Sequence, residues 1–472
     1  MIDSNPTLAQ IQEAIQQGKC TVASLVSAYL QNIDQHADLN IYIEVYRKEA
    51  LQQAETLDQK IKDGADVGLL FGCIVSLKDV ISHKDHKLSA ASKILTDYKS
   101  PYDATAVARL KEQDAIIIGR TNCDEFGMGS SNENSIYGPT KNGAAPERVP
   151  GGSSGASAVS VQMNTCLIAL GSDTGGSVRQ PASFCGVYGL KPTYGRVSRY
   201  GLIAYASSFD QIGILGQHLD DLGIVLQVIA GKDRHDATSA SIEVPDYDRT
   251  KTFNKAKVGY FPELIDHERL DPVIKTQINN VIEQLGSSDA SIADYQFKYA
   301  DYLVPSYYIL TTAEASTNLS RYDGVRYGHR SAEVSNLEEM YVKSRTEGFG
   351  AEVKRRIMLG TYVLSEGYFD AYFTKAQQVR RLIKEEIDQV LEDCDFIILP
   401  TTTGMPWKIG EMDDDPIAVY MSDMYTVLAN LTGLPAISIP LGTNADNLPF
   451  GIQLISKSFD EQTLLSVAKQ FF

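Results

Sequence analysis

The sequence predicts an α/β protein whose central sheet is covered by helices on both faces. Two observations lead to this prediction. From residue 69 onward, short apolar runs bounded by glycine recur along the chain, and such runs are typical of buried strands. Amphipathic segments typical of helices separate these runs, and this alternation is the pattern of a sheet with crossover helices on its two sides.

The first hundred residues are predicted to be mainly helical. Amphipathic runs cover Leu8–Gln17, Thr21–Ile33 and Tyr42–Lys62. We expect the helices of residues 1 to about 65 to wrap the core of the protein. Two later segments, Asp103–Gln113 and Ser154–Met163, are predicted as helices that cross between strands.

Strand-like runs lie in both halves of the chain. Those of the first half are Phe71–Leu77, Ala115–Gly119, Cys166–Gly171 and Val187–Lys191. Those of the second half are Lys257–Tyr260, Phe396–Leu399, Ala436–Ile439 and Phe450–Leu454. Since the late strands most simply complete the early sheet, we expect one domain over residues 1–472, with a helical elaboration at about 220–391.

Composition places the chain among ordinary globular proteins and limits its partners. Forty-three per cent of its 472 residues are hydrophobic, and 60 acidic against 43 basic residues give a net charge of −17. Such a charge repels polyanions, so nucleic acid is expected to be held by a partner. Six scattered cysteines, and the absence of a leader or long apolar span, predict a reduced cytoplasmic setting without a membrane partner.

A glycine-rich turn follows one predicted strand as Gly171-Ser-Asp-Thr-Gly-Gly-Ser177. Adjacent glycines let backbone N–H groups approach a ligand closely. Those groups would form an oxyanion hole beside Ser177, which stabilises the negative oxygen of an attacked amide carbonyl. On this segment alone, an ordinary tight turn explains the pattern equally well.

A second glycine-rich turn, Gly151-Gly-Ser-Ser-Gly155, opens a predicted helix. A phosphate-binding loop would need a lysine near its end, and the chain instead continues with Ala156. Ser153 in this turn is therefore interpreted as a bridge between a base and a nucleophilic serine, because a serine hydroxyl needs a base to lose its proton.

Lys78 is the candidate base. It ends an apolar run in which a cationic side chain needs a partner or gives up its proton, and burial favours the neutral form. Asp79 would oppose this by favouring the ammonium form if it pointed inward. Taken singly, a lysine beside an apolar run is more often a surface residue whose stem lies along apolar neighbours.

Together, these three pieces closely resemble the amidase signature family, whose motif G-G-S-S-G-x-S-A precedes G-S-D-T-G-G-S-[IV]-R-x-P. The resemblance implies a large mixed, twisted sheet covered by helices. It also implies Ser177 as nucleophile, Ser153 as the proton-relaying serine with a cis peptide bond, and Lys78 as the base. The implied oxyanion hole consists of the backbone N–H groups of Thr174, Gly175, Gly176 and Ser177.

Further segments, such as Glu314–Gly328 and Glu347–Gly360, resemble one branch of that family, the A subunits of glutamyl-tRNA(Gln) amidotransferases. The resemblance implies glutamine as substrate, with Arg356 on its carboxylate and Asp423 on its ammonium group. The resemblance also implies that Tyr307 is the aromatic residue that contacts the substrate, and Tyr308 is the alternative.

The same branch implies partners. A larger B subunit would bind tRNA, ATP and Mg²⁺, a small C subunit would wrap around this chain, and no cofactor is expected in the chain itself. The sequence leaves open whether aspartyl-tRNA(Asn) is also a substrate.

Other interpretations fit the same sequence. A stand-alone amidase with another substrate would share the same catalytic residues, and a catalytically inactive amidase-like subunit would serve only for binding. A cysteine glutaminase would use Cys185, but none of the seven histidines lies in a matching motif. His83 and His86 flank Asp85 in a polar loop, where a solvated cluster is favoured over a metal site, so no metal is predicted.

Overall fold

The computed structural model describes residues 5–247, 255–288, 290–412 and 414–472. Within them, eleven strands form one mixed sheet in the order β1-β3-β2-β4-β6-β5-β10-β11-β9-β7-β8. The strands are β1 Tyr42–Val45, β2 Ile74–Lys78, β3 Ile116–Thr121, β4 Ile168–Ser172, β5 Tyr188–Lys191, β6 Ile212–Gly216, β7 Lys257–Tyr260, β8 Ser291–Asp294, β9 Phe396–Pro400, β10 Ala436–Thr443 and β11 Pro449–Ser456.

Sixteen α-helices of the described residues cover this sheet, which confirms the predicted fold class. In the first half they are α1 Leu8–Gln16, α2 Val22–Gln35, α3 Arg47–Lys62, α4 Thr105–Glu112, α5 Gly155–Gln162, α6 Arg179–Cys185 and α7 Leu219–Ile229. In the second half they are α8 Pro262–Ile265, α9 Pro272–Ser287, α10 Leu303–Asn318, α11 Leu337–Gly348, α12 Ala351–Val363, α13 Lys375–Asp393, α14 Pro416–Met421, α15 Val427–Thr432 and α16 Glu461–Phe471.

The pairing of the strands explains how distant parts of the chain meet. Strand β2 pairs in parallel with β3 on one side and β4 on the other. Strand β5 pairs with β10, and β11 with β9, so strands from the two ends of the chain lie in one sheet. Central strands such as β2, β3, β4 and β9 are buried along their whole length, as expected for a sheet covered on both faces.

The prediction of one helix over Tyr42–Lys62 was wrong at its beginning. Residues Tyr42–Val45 form strand β1, which pairs antiparallel with β3, and helix α3 begins only at Arg47. All four residues of β1 are half-buried, so the segment carries no alternation of buried and exposed side chains. The neighbouring strand, rather than a local pattern, decides this conformation.

Two further strands, β6 and β8, were not predicted. In β6, glycine takes two of five positions and weakens the local strand signal. The fold requires Gly213, because a Cβ there would lie 2.8 Å from the carbonyl oxygen of Leu190 on the neighbouring strand. Strand β8 is a four-residue edge strand, whose short sequence gives little pattern to detect.

The six cysteines are free thiols, and five of them are buried. Among the helices of the described residues, none combines the length and the apolar character needed to cross a lipid bilayer.

Candidate active site

The candidate site begins at one edge of the sheet, where two parallel strands end. Lys78 is the last residue of β2, and Ser172 is the last residue of the adjacent β4. Since parallel neighbours end on the same side, their side chains meet there. Lys78 is fully buried, and its Nζ lies 2.6 Å from Oγ of Ser153, 2.9 Å from that of Ser154 and 2.9 Å from that of Ser172.

Burial lowers the pKa of Lys78 to about 8, although carboxylates such as those of Asp124 and Asp173 favour its charged form. The carboxylate of Asp79 is directed away from this amine. It accepts hydrogen bonds from Arg120 and from the backbone N–H groups of Ser89, at 3.0 Å, and Ala91, at 2.8 Å. The lysine is therefore surrounded mainly by hydroxyl groups, and its neutral form lies within reach near neutral pH.

The turn that carries Ser153 is tightly enclosed. The peptide bond between Gly152 and Ser153 is cis. A Cβ on Gly152 would lie 2.2 Å from Oδ2 of Asp124, so this position has room only for glycine. Helix α5 begins directly afterwards, and the N–H of Ser154 donates to the carbonyl oxygen of Ser177 at 3.0 Å, which joins the two glycine-rich turns.

The second turn is organised by a buried carboxylate. Asp173 accepts hydrogen bonds from the N–H groups of Gly176, at 2.9 Å, and Val178, at 3.2 Å. Arg179 donates to both of its oxygens, at 3.0 and 3.1 Å. Burial alone would raise the pKa of Asp173, but the guanidinium outweighs it and lowers that pKa to about 2. This ion pair fixes the course of the turn.

Three backbone N–H groups of this turn have no protein acceptor. Among the described residues, none accepts a hydrogen bond from the N–H groups of Thr174, Gly175 or Ser177, whereas that of Gly176 donates to Asp173. Buried N–H groups without a partner are rare, and a cluster of them suits a developing negative charge. Of the four predicted donors, three are therefore free to bind a ligand and one is engaged.

The hydroxyl of Ser177 stands apart from the base. In the described part of the chain, no hydrogen bond joins that hydroxyl to Ser153 or Lys78. The structure thus brings Lys78 and Ser153 into contact, and it joins Ser177 to them through the backbone bond between the two turns. A relay through both serines requires the Ser177 side chain to move toward Ser153.

Arg356 lies on helix α12 and is almost fully buried. Its Nε donates to Oε1 of Glu352 at 2.8 Å, and its Nη1 donates to the hydroxyl of Tyr205 at 2.9 Å. The rings of Tyr205, Tyr308 and Tyr420 surround the guanidinium at 5.4 to 5.7 Å. The cation is therefore held rigidly, which suits the binding of a carboxylate.

Asp423 and Arg356 both contact the same tyrosine, Tyr308. The hydroxyl of Tyr308 donates to Oδ2 of Asp423 at 2.8 Å, and that of Ser130 donates to the same oxygen at 2.9 Å. Burial raises the pKa of Asp423 to about 7. Tyr308 thus contacts both residues, Asp423 and Arg356, that are predicted to bind the charged ends of the substrate.

Tyr307 contacts the glycine-rich turn instead. A Cβ on Gly175 would lie 2.3 Å from the Tyr307 hydroxyl oxygen, so ring and turn are in close contact. The hydroxyl of Thr426 donates to the carbonyl oxygens of Gly175, at 2.7 Å, and Asp423, at 3.0 Å. The two tyrosines and this threonine connect the predicted substrate residues with the turn that carries Ser177.

Several residues of the site were missed by sequence reasoning. Ser172, Asp173 and Arg179 stand inside the second glycine-rich motif, so their roles were within reach of the sequence. Glu352 and Tyr205 carry no local signal, because only the fold brings them to Arg356. Cys185, the alternative nucleophile, is buried in α6, where burial raises the pKa of its thiol, and its Sγ donates to the carbonyl oxygen of Pro150 at 3.4 Å.

Known proteins resemble this chain over almost its whole length. The family model described as Amidase matches residues 24–465. The glutamyl-tRNA(Gln) amidotransferase A subunit of Chlorobium phaeobacteroides strain DSM 266 is 50% identical over 461 residues, which cover 97% of each chain. That of Koribacter versatilis is 49% identical over 465 residues, 98% of this chain and 97% of the relative.

Solved structures give the same picture. The crystal structure of the glutamyl-tRNA(Gln) amidotransferase A subunit from Thermotoga maritima superposes with a TM-score of 0.78 at 36% identity, over 95% of this chain and 90% of that one. A bacterial aryl acylamidase of the amidase signature family, 19% identical, shares the fold with a TM-score of 0.86 over 99% and 95% of the two chains. The chain therefore belongs to the amidase family.

Proposed function

We propose that this chain hydrolyses glutamine to glutamate and ammonia as the A subunit of a glutamyl-tRNA(Gln) amidotransferase. The observation that carries the proposal is the contact of 2.6 Å between buried Lys78 and Ser153. It lies beside a turn whose N–H groups at Thr174, Gly175 and Ser177 form no hydrogen bond with the described residues. This arrangement combines a base, a relay and an oxyanion site. Full-length relatives at about half identity carry the same subunit name.

In the proposed reaction, Oγ of Ser177 attacks the side-chain amide carbon of glutamine. The proton of Ser177 passes to Ser153, and the proton of Ser153 passes to neutral Lys78. The carbonyl oxygen becomes an oxyanion, which the free N–H groups of the turn stabilise. The carbon–nitrogen bond then breaks, the leaving nitrogen receives the proton back through Ser153, and ammonia departs. Water hydrolyses the remaining ester between glutamate and Ser177 by the same proton path in reverse.

Substrate recognition rests on two buried charges. Arg356 would bind the α-carboxylate of glutamine, because a guanidinium forms two parallel hydrogen bonds with a carboxylate. Asp423 would bind the α-ammonium group as a carboxylate. Tyr307, which lies against Gly175, would contact the substrate between these ends and the scissile amide. Tyr308 has a supporting role, since its hydroxyl already donates to Asp423.

The proposal includes partners that supply the rest of the reaction. A larger B subunit would bind tRNA, ATP and Mg²⁺, and use the ammonia to convert Glu-tRNA(Gln) to the amide, with Asp-tRNA(Asn) as a second substrate to be tested. A small C subunit would complete the complex. No cofactor is assigned to this chain. The net charge of −17 is consistent with leaving tRNA to a partner. A role in translation would put the complex in the cytoplasm.

The test is release of ammonia from glutamine by the chain purified alone and with its copurifying partners. Replacing Ser177 by Ala should lower kcat on the order of 10⁶-fold, as removal of a serine nucleophile does elsewhere. The matched control is S27A, which alters an exposed serine on α2 and should leave the rate unchanged. Glutamine hydrolysis that survives S177A would place the nucleophile elsewhere.

The same preparation separates the proposal from its rivals. We expect slow glutamine hydrolysis by the chain alone, acceleration by its partners and glutamine-dependent amidation of Glu-tRNA(Gln). Fast partner-free hydrolysis of an aryl or aliphatic amide would favour a stand-alone amidase. Assembly with partners but no hydrolysis of any amide would favour an inactive binding subunit.

A further inference from the structure

A cluster of potential metal ligands lies outside the candidate active site. Glu49 projects from helix α3, and His83 and His86 lie in the loop that follows β2. One ligand atom from each of these three residues lies within 4.8 Å of the other two. Asp85, which separates the two histidines in the sequence, is not part of this cluster.

The hydrogen bonds of His86 determine what its second nitrogen can do. Nδ1 lies 2.8 Å from the carbonyl oxygen of Lys84, which can only accept, so Nδ1 carries a hydrogen. Nε2 lies 2.8 Å from Oε2 of Glu49, which also accepts when ionised. If His86 is neutral, the lone pair of its Nε2 therefore faces a lone pair of Oε2 of Glu49, and the two repel each other. A proton on Nε2 or a metal ion between the two atoms would remove this repulsion.

The contact with Lys84 is also the arrangement that metal-binding histidines adopt. Such a histidine almost always donates its other ring N–H to a carbonyl or carboxylate, which fixes the ring and its tautomer. In this cluster the backbone supplies that acceptor, and Nε2 is directed at the carboxylate of Glu49.

His83 adds a buried nitrogen. It is 4% exposed, and its Nδ1 has no hydrogen-bond partner among the described residues. A neutral imidazole at this position offers one lone pair to a metal ion. The ring of His83 therefore combines a buried nitrogen without a partner with a ligand atom that lies within 4.8 Å of those of Glu49 and His86.

The rings must move slightly to share a metal ion. His83 and His86 are stacked with centroids 3.9 Å apart and an interplanar angle of 3°. Because a metal ion lies close to the plane of each imidazole that binds it, the His83 ring has to turn about its Cβ–Cγ bond. Nearby Lys111 does not occupy the site, since it pairs with Asp103 at 2.9 Å. Glu49 lines a cleft of about 460 Å³, so its side chain can be reached from solvent.

We propose that Glu49, His83 and His86 bind one divalent transition-metal ion of the zinc type. Two imidazoles and one carboxylate form a donor set that Zn²⁺ accepts, and imidazole also suits Co²⁺, Ni²⁺ and Cu²⁺. Water would complete the coordination. The proposal is independent of the glutaminase reaction, because none of these residues belongs to the candidate active site.

The test uses the full chain without a histidine tag, stripped of metal and titrated with ZnCl₂ by calorimetry at neutral pH. We expect about one ion per chain, with affinity lowered at least about tenfold in E49Q, H83F and H86F, since loss of even a supporting residue has that effect. The matched controls, E55Q on the exposed side of α3 and H235N in an exposed loop, should bind as the unchanged chain does.

Titration with Co²⁺ provides a second readout, because its visible absorption changes when a nitrogen ligand is lost. E49Q alters a partly exposed side chain and keeps the test valid even if H83F fails to fold. Equal affinity of the unchanged chain and E49Q would overturn the proposal. If folded H83F bound the ion as tightly as the unchanged chain, the three-residue assignment would be wrong.

Discussion

Nζ of Lys78 lies 2.6 Å from Oγ of Ser153, the shortest of the three contacts that this buried amine makes with hydroxyl groups. The two residues are 75 positions apart in the chain. They meet because Lys78 lies at the end of β2 and Ser153 lies in a glycine-rich turn that packs against this end. A lysine in this position can accept a proton only when it is neutral, and its pKa of about 8 makes that condition measurable.

The first prediction concerns the pH dependence of kcat. The neutral fraction of Lys78 grows as pH rises through about 8, so kcat for glutamine hydrolysis should increase with pH and level off above that value. Two pH units below the pKa it should be about 100-fold lower. K78R should be inactive throughout, because arginine stays protonated. The control K93R alters an exposed lysine and should keep the pH profile of the unchanged enzyme. A kcat of the unchanged enzyme that does not vary with pH would contradict the prediction.

The second prediction concerns KM. Burial raises the pKa of Asp423 to about 7, so this carboxyl group is protonated in acid and ionises as pH rises through neutrality. Since only the carboxylate attracts an ammonium group, KM for glutamine should fall as pH rises through about 7. D423N should have a high KM that no longer changes over this range. Initial rates at several glutamine concentrations and pH values measure KM. If KM of D423N depended on pH as that of the unchanged chain does, a group other than Asp423 would be titrating.

The third prediction assigns a positioning role to Glu352. Its Oε1 accepts from Nε of Arg356 at 2.8 Å and from the hydroxyl of Tyr420 at 2.9 Å. R356K loses the planar fork and should raise KM for glutamine about 10- to 100-fold, the worth of a hydrogen bond to a charged group. E352Q should raise KM by a smaller factor with little change in kcat.

The matched control for this pair is R381K, which alters an arginine on helix α13 whose side chain is 80% exposed and pairs with Glu385. It should leave both kinetic constants unchanged. If E352Q lowered kcat and left KM as it was, Glu352 would act on the reacting groups and not through Arg356.

The fourth prediction tests the contact between the turn and Tyr307. A Cβ on Gly175 would lie 2.3 Å from both Cζ and the hydroxyl oxygen of Tyr307, so G175A should displace the ring or the turn. We expect kcat/KM for glutamine to fall at least about 100-fold, as misplacement by an ångström does in other enzymes. G404A is the control, because a Cβ there meets no atom of the described residues within 4 Å. Activity of G175A close to that of the unchanged chain would show that the turn tolerates the shift.

The fifth prediction concerns stability. Asp173 and Arg179 form an ion pair in which both side chains are fully buried. D173N leaves the guanidinium without its counter-charge and should lower the free energy of unfolding by about 3 to 5 kcal/mol. D388N breaks an exposed pair with Lys384 and should change it by at most about 1 kcal/mol. Urea unfolding followed by circular dichroism compares the two variants, and equal effects would refute a structural role for the buried pair.

Local patterns along the chain were enough to predict the α/β class, most strands and the candidate residues Lys78, Ser153 and Ser177. Buried strands such as β9 contain continuous apolar runs, so local composition suffices to detect them. The glycine-rich turns are equally visible, because their backbone course and close contacts demand residues without a side chain.

The remaining features depend on contacts between distant segments. Strand β1 forms because β3 lies beside it, and the sequence Tyr42–Val45 has no alternation of buried and exposed residues that would predict a strand. Gly176 was expected to donate to the oxyanion, but its N–H is engaged by Asp173, an arrangement that depends on the folded turn. Glu352 reaches Arg356, and Glu49 reaches His86, only because packing brings their side chains together. Contacts of this kind depend on distances in space, which the order of residues along the chain does not encode locally.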